Sequence, residues 1–113
     1  MTASTSPSRA AGSALIVGGY GVVGAQIAEA LSKRHPGLPL IVAGRSLDTA
    51  NACARAYSSA RGARIDTTED DPLASISDDI GILVAAVNDP TNALMRAAIR
   101  RGLPYLDITR WTE

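Results

Sequence analysis

Two kinds of hydrophobic pattern alternate along the chain. Runs of consecutive apolar residues at 15–17, 38–43 and 80–87 are typical of strands buried on both faces, and shorter runs at 63–66 and 105–108 predict two more strands. Between them, apolar residues recur every three or four positions and predict helices over 22–34, from 47 to about 61, and from about 91 to 101. Residues 69–76 hold at most one helical turn.

The periodicity of each helix also predicts which side chains face the sheet. Pro36 ends the first helix, because proline cannot continue it, and His35 is expected to cap that helix or face solvent. Gly102 is expected to close the last helix as a C-cap. The predicted inward side chains are Val23, Ile27, Ala30 and Leu31 in the first helix, Leu47, Ala50, Cys53, Ala54 and Tyr57 in the second, and Leu94, Met95, Ala98 and Ile99 in the last.

This alternation of strands and helices predicts the fold class. It is α/β, a three-layer α/β/α Rossmann-type fold with a doubly wound parallel sheet in the strand order 3-2-1-4-5. The chain has 113 residues, enough for one such domain, which we place at 13–113. Residues 1–12 are rich in Ser, Thr and Ala and are predicted to be a disordered tail.

Charge and cysteine content exclude several classes of partner and site. The 11 basic and 11 acidic residues cancel, so neither nucleic acid nor a membrane surface is predicted as a partner. Arg100 and Arg101, at the end of the last helix, are expected to be solvated. Cys53 is the single cysteine, which excludes an intramolecular disulfide and a thiolate metal cluster, and no metal is predicted. The sequence lacks a membrane-spanning apolar run and a signal-peptide core, so we expect a cytoplasmic protein.

The turn between the first strand and the first helix carries the main candidate chemistry. It places four glycines within seven residues, and their spacing fits both G-x-G-x-x-G and G-x-x-G-x-x-G. After a strand and before a helix, such glycines let the backbone approach a dinucleotide pyrophosphate, which the helix N-terminus attracts. The alternative is a glycine turn kept only for helix packing. The candidate cofactor-binding residues here are Gly18, Gly19, Tyr20, Gly21, Val22, Val23 and Gly24.

The end of the second strand predicts which dinucleotide binds. An NAD site places Asp or Glu there to bind the ribose 2′-hydroxyl, whereas this sequence has Gly44, Arg45 and Ser46. Arg45 can bind a 2′-phosphate through paired N–H groups, and Ser46 can add a hydroxyl, so NADP is favoured over NAD. The alternative for Arg45 is a solvated loop charge. The missing acid also argues against a methyltransferase, which commonly holds the ribose of its cofactor with one.

Polar residues after the later strands are further candidates for the cofactor site. Asp66 is predicted either to approach the adenine or to cap the turn that follows it. Asn88 lies beside the topological switch point and is predicted either to contact the nicotinamide ribose or only to begin a helix that Asp89 or Thr91 caps. Asp107, at the end of the fifth strand, also points toward this crevice.

Three segments of the sequence resemble the N-terminal NAD(P)-binding domain of the saccharopine dehydrogenase/reductase family. The last of them contains a Tyr-x-Asp strand at Tyr105 and Asp107, which follows a helix that ends in glycine. The resemblance implies an NADP-binding domain that supplies the cofactor for hydride transfer, as in relatives that reduce imines formed from an amino acid and a carbonyl. Other relatives reduce different substrates, including enoyl groups in lipids. The three segments are residues 16–24, 43–46 and 102–109.

The resemblance also implies what the chain lacks. The family's substrate-binding residues lie mainly in a C-terminal domain, and no catalytic proton donor is recognisable in this sequence. We therefore expect the N-terminal part of a longer reductase, which binds NADP and is inactive alone. Residues 110–113 depart from the glycine–acid pair usual in relatives, which leaves the subfamily open. The alternatives are a nucleotide-binding or sensing module that works through a partner chain, with the fifth strand covered in a homodimer, and a Rossmann-like domain that has lost its ligand.

Overall fold

A computed structural model describes residues 12–76 and 79–108 and confirms the predicted fold class and strand order. Five strands form one sheet, and helices cover it on both faces. The strands are β1 (Ser13–Val17), β2 (Leu40–Gly44), β3 (Ala60–Arg64), β4 (Ile80–Ala85) and β5 (Tyr105–Asp107). The helices are α1 (Val22–Arg34), α2 (Leu47–Ala54) and α3 (Ala93–Arg101).

All five strands run parallel in the order β3-β2-β1-β4-β5, with β1 at the centre. Val17, the last residue of β1, pairs with Ala43 of β2 and with Ala85 of β4. Gly44 at the end of β2 pairs with Arg64 of β3. The carboxyl ends of the strands therefore meet at one edge of the sheet. Strands β2 and β3 lie on one side of β1 and strands β4 and β5 on the other, so the order in which strands are added reverses between β1 and β4. In open α/β sheets this switch point is where ligands bind.

Apolar side chains that alternate along the strands fill two cores, one on each face of the sheet. Leu15 and Val17 belong to the core beneath α3, which also contains Leu73 and Ile76 from the connection between β3 and β4. Ile16, between them in sequence, points to the opposite face and the core beneath α1. With no Phe in the chain, both cores consist mainly of aliphatic side chains and alanine.

Helix α1 has its predicted bounds but presents a different face to the sheet. Its buried residues are Gly24 and Ala28, whereas Val23 is 51% exposed and Ala30 is exposed. The prediction that Val23 and Ala30 face inward is therefore wrong. The other two predicted inward residues, Ile27 and Leu31, are partly buried against the core. The helix approaches the turn most closely where Gly24 has no side chain, and this contact fixes its rotation.

Helix α2 ends earlier, and β3 begins earlier, than the sequence pattern predicts. The helix stops at Ala54, and Arg61 and Gly62, predicted as its end, lie within β3. Gly62 lets α2 pack closely over the strand, since a Cβ there would lie 2.5 Å from the Asn51 backbone nitrogen. Strand β3 has no alternating hydrophobic pattern, and pairing with β2 stabilises it instead. Leu47 is 45% exposed, so its predicted inward position is wrong.

Helix α3 begins later than predicted, at Ala93, after Asn92 in a left-handed conformation with φ of 59°. The buried carboxylate of Asp89 accepts hydrogen bonds from the first two N–H groups of the helix at 3.1 and 2.8 Å, which is its predicted capping role. Gly102 has φ of 68° and closes the helix as predicted. Ile99 is 71% exposed, so its predicted inward position is wrong.

The connection between β3 and β4 is held against α3 by two arginines. The Arg101 guanidinium donates hydrogen bonds to the carbonyl oxygens of Leu73 and Ile76, at 2.6 and 3.1 Å. Arg100 forms an ion pair with Asp71 at 3.3 Å. Both arginines are exposed, as predicted, but they also fix the position of the connection.

The predicted disordered tail lies almost entirely outside the described residues. Its last residue, Gly12, is described and buried. A Cβ on Gly12 would lie only 2.7 Å from the Gly81 backbone nitrogen, so there is no room for a side chain at this position. Gly12 therefore belongs to the packed domain. Among residues 12–76 and 79–108, no helix is long and apolar enough to cross a membrane.

Candidate functional site

The turn between β1 and α1 brings the glycine backbone into a tight loop at the switch point. Gly18 follows β1 with φ of 86°, a conformation that residues with side chains rarely adopt. Its N–H donates to the Ala43 carbonyl at 2.7 Å, and its own carbonyl accepts from the Gly21 N–H at 3.0 Å. The first bond fixes the turn to the end of β2, and the second closes the turn itself.

Gly24 sets the distance between this turn and α1. A Cβ on Gly24 would overlap the Gly18 carbonyl oxygen and would lie 2.7 Å from the Gly19 Cα. Because both neighbours are backbone atoms, rotating a side chain would not relieve the overlap. This is the packing role expected of the last glycine in the motif.

The start of α1 follows directly on the glycine turn. Gly21 is the N-cap residue, and no side chain among the described residues caps this end of the helix. The Ala25 N–H donates to the Gly21 carbonyl at 2.8 Å, which begins the intrahelical ladder. The N–H groups of Val22, Val23 and Gly24 precede that ladder and carry the partial positive charge of the helix dipole. Val22 is 79% exposed, so this surface is open to a ligand.

Tyr20 connects the turn with the end of β2. A Cβ on Gly44 would overlap the outer edge of the Tyr20 ring, so the ring occupies the space above Gly44. The Tyr20 hydroxyl accepts a hydrogen bond from the Ser46 N–H at 3.2 Å. The two loops predicted to bind the cofactor are therefore in direct contact through one side chain.

Arg45 and Ser46 lie on the loop that enters α2, and both are exposed. The Ser46 Oγ accepts from the Thr49 N–H at 3.2 Å and donates to the Thr49 hydroxyl at 3.0 Å. Ser46 is thus the N-cap of α2, and its hydroxyl is used in that cap. Its predicted contact with a 2′-phosphate stays a prediction.

A cavity of about 330 Å³ opens between the turn and the ends of β2, β3 and β4. It brings together five of the residues predicted from sequence, and most of its wall is apolar. Arg45 is its one charged residue among those described. The cavity is lined by Val17, Gly18, Tyr20, Gly21, Gly44, Arg45, Ile65, Thr67, Ala86 and Val87.

Five of these lining residues are not among the predicted site residues: Val17, the last residue of β1, and four residues that follow strands, Ile65, Thr67, Ala86 and Val87. The sequence predicts Ala86 and Val87 within the fourth strand, but β4 ends at Ala85 and the next two residues line the crevice. Ile65 and Thr67 follow β3, whose end lies at Arg64. The rule that residues after parallel strands line the crevice identifies all four once the strand ends are correct.

Asp66 adopts the second of its two predicted roles. Its Oδ1 accepts hydrogen bonds from the Thr68 hydroxyl at 2.6 Å and from the Thr68 N–H at 2.9 Å, which caps the turn after β3. These bonds, the hydroxyl one foremost, hold the pKa of the Asp66 carboxyl below its usual value, and the charges of Arg64 and Arg45 add to the effect. A contact with the adenine stays a prediction.

The other polar candidates are not among the described residues that line the cavity. Asn88 is exposed just beyond β4, and its contact with the nicotinamide ribose stays a prediction. Asp107 accepts a hydrogen bond from the Tyr105 hydroxyl at 3.4 Å. His35 is the C-cap residue of α1 and is exposed, as expected, at the opposite edge of the sheet.

The residues around the crevice fit a dinucleotide. Backbone N–H groups at a helix start that no described side chain caps suit a pyrophosphate, and a mostly apolar wall suits the flat faces of an adenosine. The exposed guanidinium of Arg45, at the end of β2, suits an additional phosphate on the ribose. The missing side chains at positions 24 and 44 admit the Gly18 carbonyl and the Tyr20 ring, which shape the turn beside this crevice.

The sequence matches a family model described as the saccharopine dehydrogenase NADP binding domain, over residues 14–112. Among solved structures, apo saccharopine dehydrogenase (L-Glu forming) from Saccharomyces cerevisiae has a TM-score of 0.74 at 20% identity, and the match covers 89% of this chain. The chain spans 22% of the length of that enzyme. No curated protein gives a match.

Two short-chain dehydrogenases/reductases share the same fold. One gives a TM-score of 0.67 at 17% identity, with 84% of this chain and 53% of that chain covered. The other, from Vibrio parahaemolyticus, gives a TM-score of 0.67 at 13% identity, with 83% and 56% covered. At such identities the likeness establishes the fold.

Proposed function

Because the chain belongs to the family of saccharopine dehydrogenase NADP-binding domains, we propose that the glycine turn and the neighbouring cavity are its NADP site. The chain is a dinucleotide-binding domain of an oxidoreductase, and NADP is its cofactor. When bound, NADP(H) supplies the hydride, while the protein supplies position and polarity.

The pyrophosphate is assigned to the first turn of α1. The N–H groups of Val22, Val23 and Gly24 precede the intrahelical ladder, and the capping residue is a glycine with no side chain to satisfy them. An anion at this position accepts hydrogen bonds from these groups and interacts favourably with the helix dipole. Both NADPH and NADH carry this pyrophosphate, so this part of the site does not distinguish them.

The 2′-phosphate is assigned to Arg45. The observation that carries the proposal is that Arg45 lines the same cavity as Gly18 and Gly21 of the turn. A guanidinium at the end of β2 can bind a phosphate through two N–H groups, and no carboxylate at Gly44 repels it. We further assign Asp66 to the adenine side and Asn88 to the nicotinamide ribose, because they follow β3 and β4 at the carboxyl edge of the sheet.

Isothermal titration calorimetry of the 113-residue chain with NADPH and NADH tests this assignment. Arg45→Ala is expected to weaken NADPH binding roughly 10- to 100-fold, since a charge-assisted hydrogen bond contributes about 1.5–3 kcal/mol, and to leave NADH binding unchanged. The matched control is Arg55→Ala, which removes the same charge from the exposed far end of α2. Equal affinity of the unmodified chain for both cofactors would contradict the role of Arg45.

Hydride transfer to a substrate is assigned to a larger protein. The chain spans 22% of the yeast saccharopine dehydrogenase, and we identify no catalytic proton donor among the described residues that line the cavity. We expect the isolated chain to bind NADPH without oxidising it in the presence of imines formed from amino acids and carbonyls. Robust NADPH oxidation by the purified chain, followed by absorbance, would show this expectation to be wrong.

A second candidate is a nucleotide-binding module that acts through a partner chain, such as a second copy of this chain. The observation that favours it is Leu106, which is 49% exposed on the edge strand β5. A covering partner would bury this side chain. Sedimentation equilibrium of the chain with and without NADPH distinguishes the candidates, because a monomer in both conditions argues against self-association.

A further inference from the structure

Gly44 stands where the acidic residue of an NAD site would be. It is the last residue of β2, it is buried, and it lies 20 positions beyond Gly24, the last glycine of the motif. The fold's ordinary NAD sites carry Asp or Glu about 20 residues after the glycine motif, where the carboxylate accepts hydrogen bonds from the ribose 2′-hydroxyl. The sequence has no carboxylate at this position, and the structure leaves no room there for a side chain that could carry one.

The Tyr20 ring fills the place that a side chain at position 44 would need. A Cβ built on Gly44 overlaps three atoms of Tyr20: Cε2, Cζ and the hydroxyl oxygen. All three belong to the outer end of the side chain, so the ring, and not the backbone, would have to move to admit even a methyl group. The ring is held in place, since its hydroxyl accepts the Ser46 N–H at 3.2 Å.

We propose that Tyr20 is a specificity-determining residue that keeps this site selective for a 2′-phosphorylated dinucleotide. Its ring excludes a carboxylate from position 44, and its hydroxyl bonds to the residue that follows Arg45. The phenol therefore prevents the NAD-type contact and positions the loop that bears the 2′-phosphate ligand. This inference about specificity rests on the proposed binding of the 2′-phosphate by Arg45. The steric contact between Tyr20 and Gly44 is independent of that proposal.

The steric contact is tested without cofactor by a double-mutant cycle in thermal unfolding. Gly44→Ala is expected to lower Tm by several degrees in the unmodified chain, because it displaces the ring and breaks the bond to Ser46. In the Tyr20→Ala background the same substitution is expected to lower Tm by less than half as much. The matched control is Gly37→Ala, where no atom lies within 4 Å of the added Cβ. An equal loss in both backgrounds would overturn the proposal.

Specificity is tested by calorimetry with NADPH and NADH on acidic variants. Gly44→Asp alone is expected to weaken NADPH binding at least tenfold without tightening NADH binding, because the ring, although displaced from its bond to Ser46, still crowds the carboxylate away from the ribose. Tyr20→Ala combined with Gly44→Asp is expected to bind NADH at least tenfold more tightly than Gly44→Asp alone. Tyr20→Phe keeps the ring but loses the bond to Ser46, so it is expected to weaken NADPH binding and to leave NADH binding unchanged; unchanged binding of both cofactors would overturn the positioning role of the hydroxyl.

The outcomes separate this inference from the function on which it rests. If Gly44→Asp alone already binds NADH as tightly as the double variant, Tyr20 does not exclude the carboxylate and the proposal is wrong. If the unmodified chain binds neither cofactor, both the proposed function and the specificity role of Tyr20 are overturned. The double-mutant cycle in thermal unfolding then still tests the steric contact between Tyr20 and Gly44.

Discussion

At the scale of single residues, the site depends on a few positions where a side chain is absent. Gly24 and Gly44 each leave space that a neighbour occupies: the Gly18 carbonyl in one case and the Tyr20 ring in the other. The glycines of the turn and Arg45 could be identified from the sequence, because their spacing and chemistry are local. The contact between Tyr20 and Gly44 could not be identified from the sequence, because it joins two loops that come together only when β1 and β2 pair.

Gly24→Ala is predicted to weaken NADPH and NADH binding equally. The new methyl group would overlap backbone atoms of Gly18 and Gly19, so α1 must move away from the turn, and overpacking of this kind costs about 1–3 kcal/mol of stability. Calorimetry with both cofactors, together with thermal unfolding, checks this. A loss confined to NADPH would indicate that Gly24 acts on the 2′-phosphate loop and not on the pyrophosphate.

The pKa of Asp66 is predicted to depend on the Thr68 hydroxyl. Its pKa in the folded chain is lowered, so Asp66 contributes stability that is fully present above its ordinary pKa and is lost as the pH falls through the lowered value. Thr68→Ala removes the largest cause and should raise this pKa toward its usual value, whereas Thr68→Ser should retain the shift. An NMR titration of the Asp66 carboxyl carbon checks both variants. An unchanged pKa in Thr68→Ala would assign the shift to the backbone N–H of residue 68 and the neighbouring arginines.

At the scale of elements, the sequence predicts where strands and helices occur better than which faces they bury. α1 was placed correctly, but its rotation follows from the close approach at Gly24, which overrides the pattern that pointed Val23 inward. β3 was misplaced because its residues carry no hydrophobic alternation and it is stabilised by pairing with β2. In both cases a tertiary contact, and not a local preference, decides the outcome.

The start of α3 is predicted to depend on Asp89. This carboxylate is 4% exposed and accepts hydrogen bonds from two N–H groups at the helix start. Asp89→Ala should lower the free energy of unfolding by about 1–2 kcal/mol, as for the loss of a strong N-cap, or by more, because the N–H groups it leaves unpaired are buried. Urea denaturation measures this. Asp48→Ala, an exposed acidic residue in the first turn of α2, is the matched control and should have a much smaller effect.

At the scale of the whole molecule, the parallel order β3-β2-β1-β4-β5 is what brings the functional residues together. Gly18 follows β1, Arg45 follows β2 and Val87 follows β4, and all three line one cavity at the carboxyl edge of the sheet. This arrangement could be predicted, since the alternation of strands and helices permits few right-handed connections. The residues that line the walls of the cavity could not be predicted fully, because they depend on where each strand ends.

The most direct test of the central claim is an NMR titration of the ¹⁵N-labelled chain with NADPH and with NADH. The amide signals of Val22, Val23 and Gly24 should shift with both cofactors, because both carry the pyrophosphate. The amide signals of Arg45 and Ser46 should shift strongly with NADPH and weakly with NADH, because only NADPH carries the 2′-phosphate. Unchanged signals in the first turn of α1, or the largest changes at the opposite edge near His35, would contradict the assignment of this site.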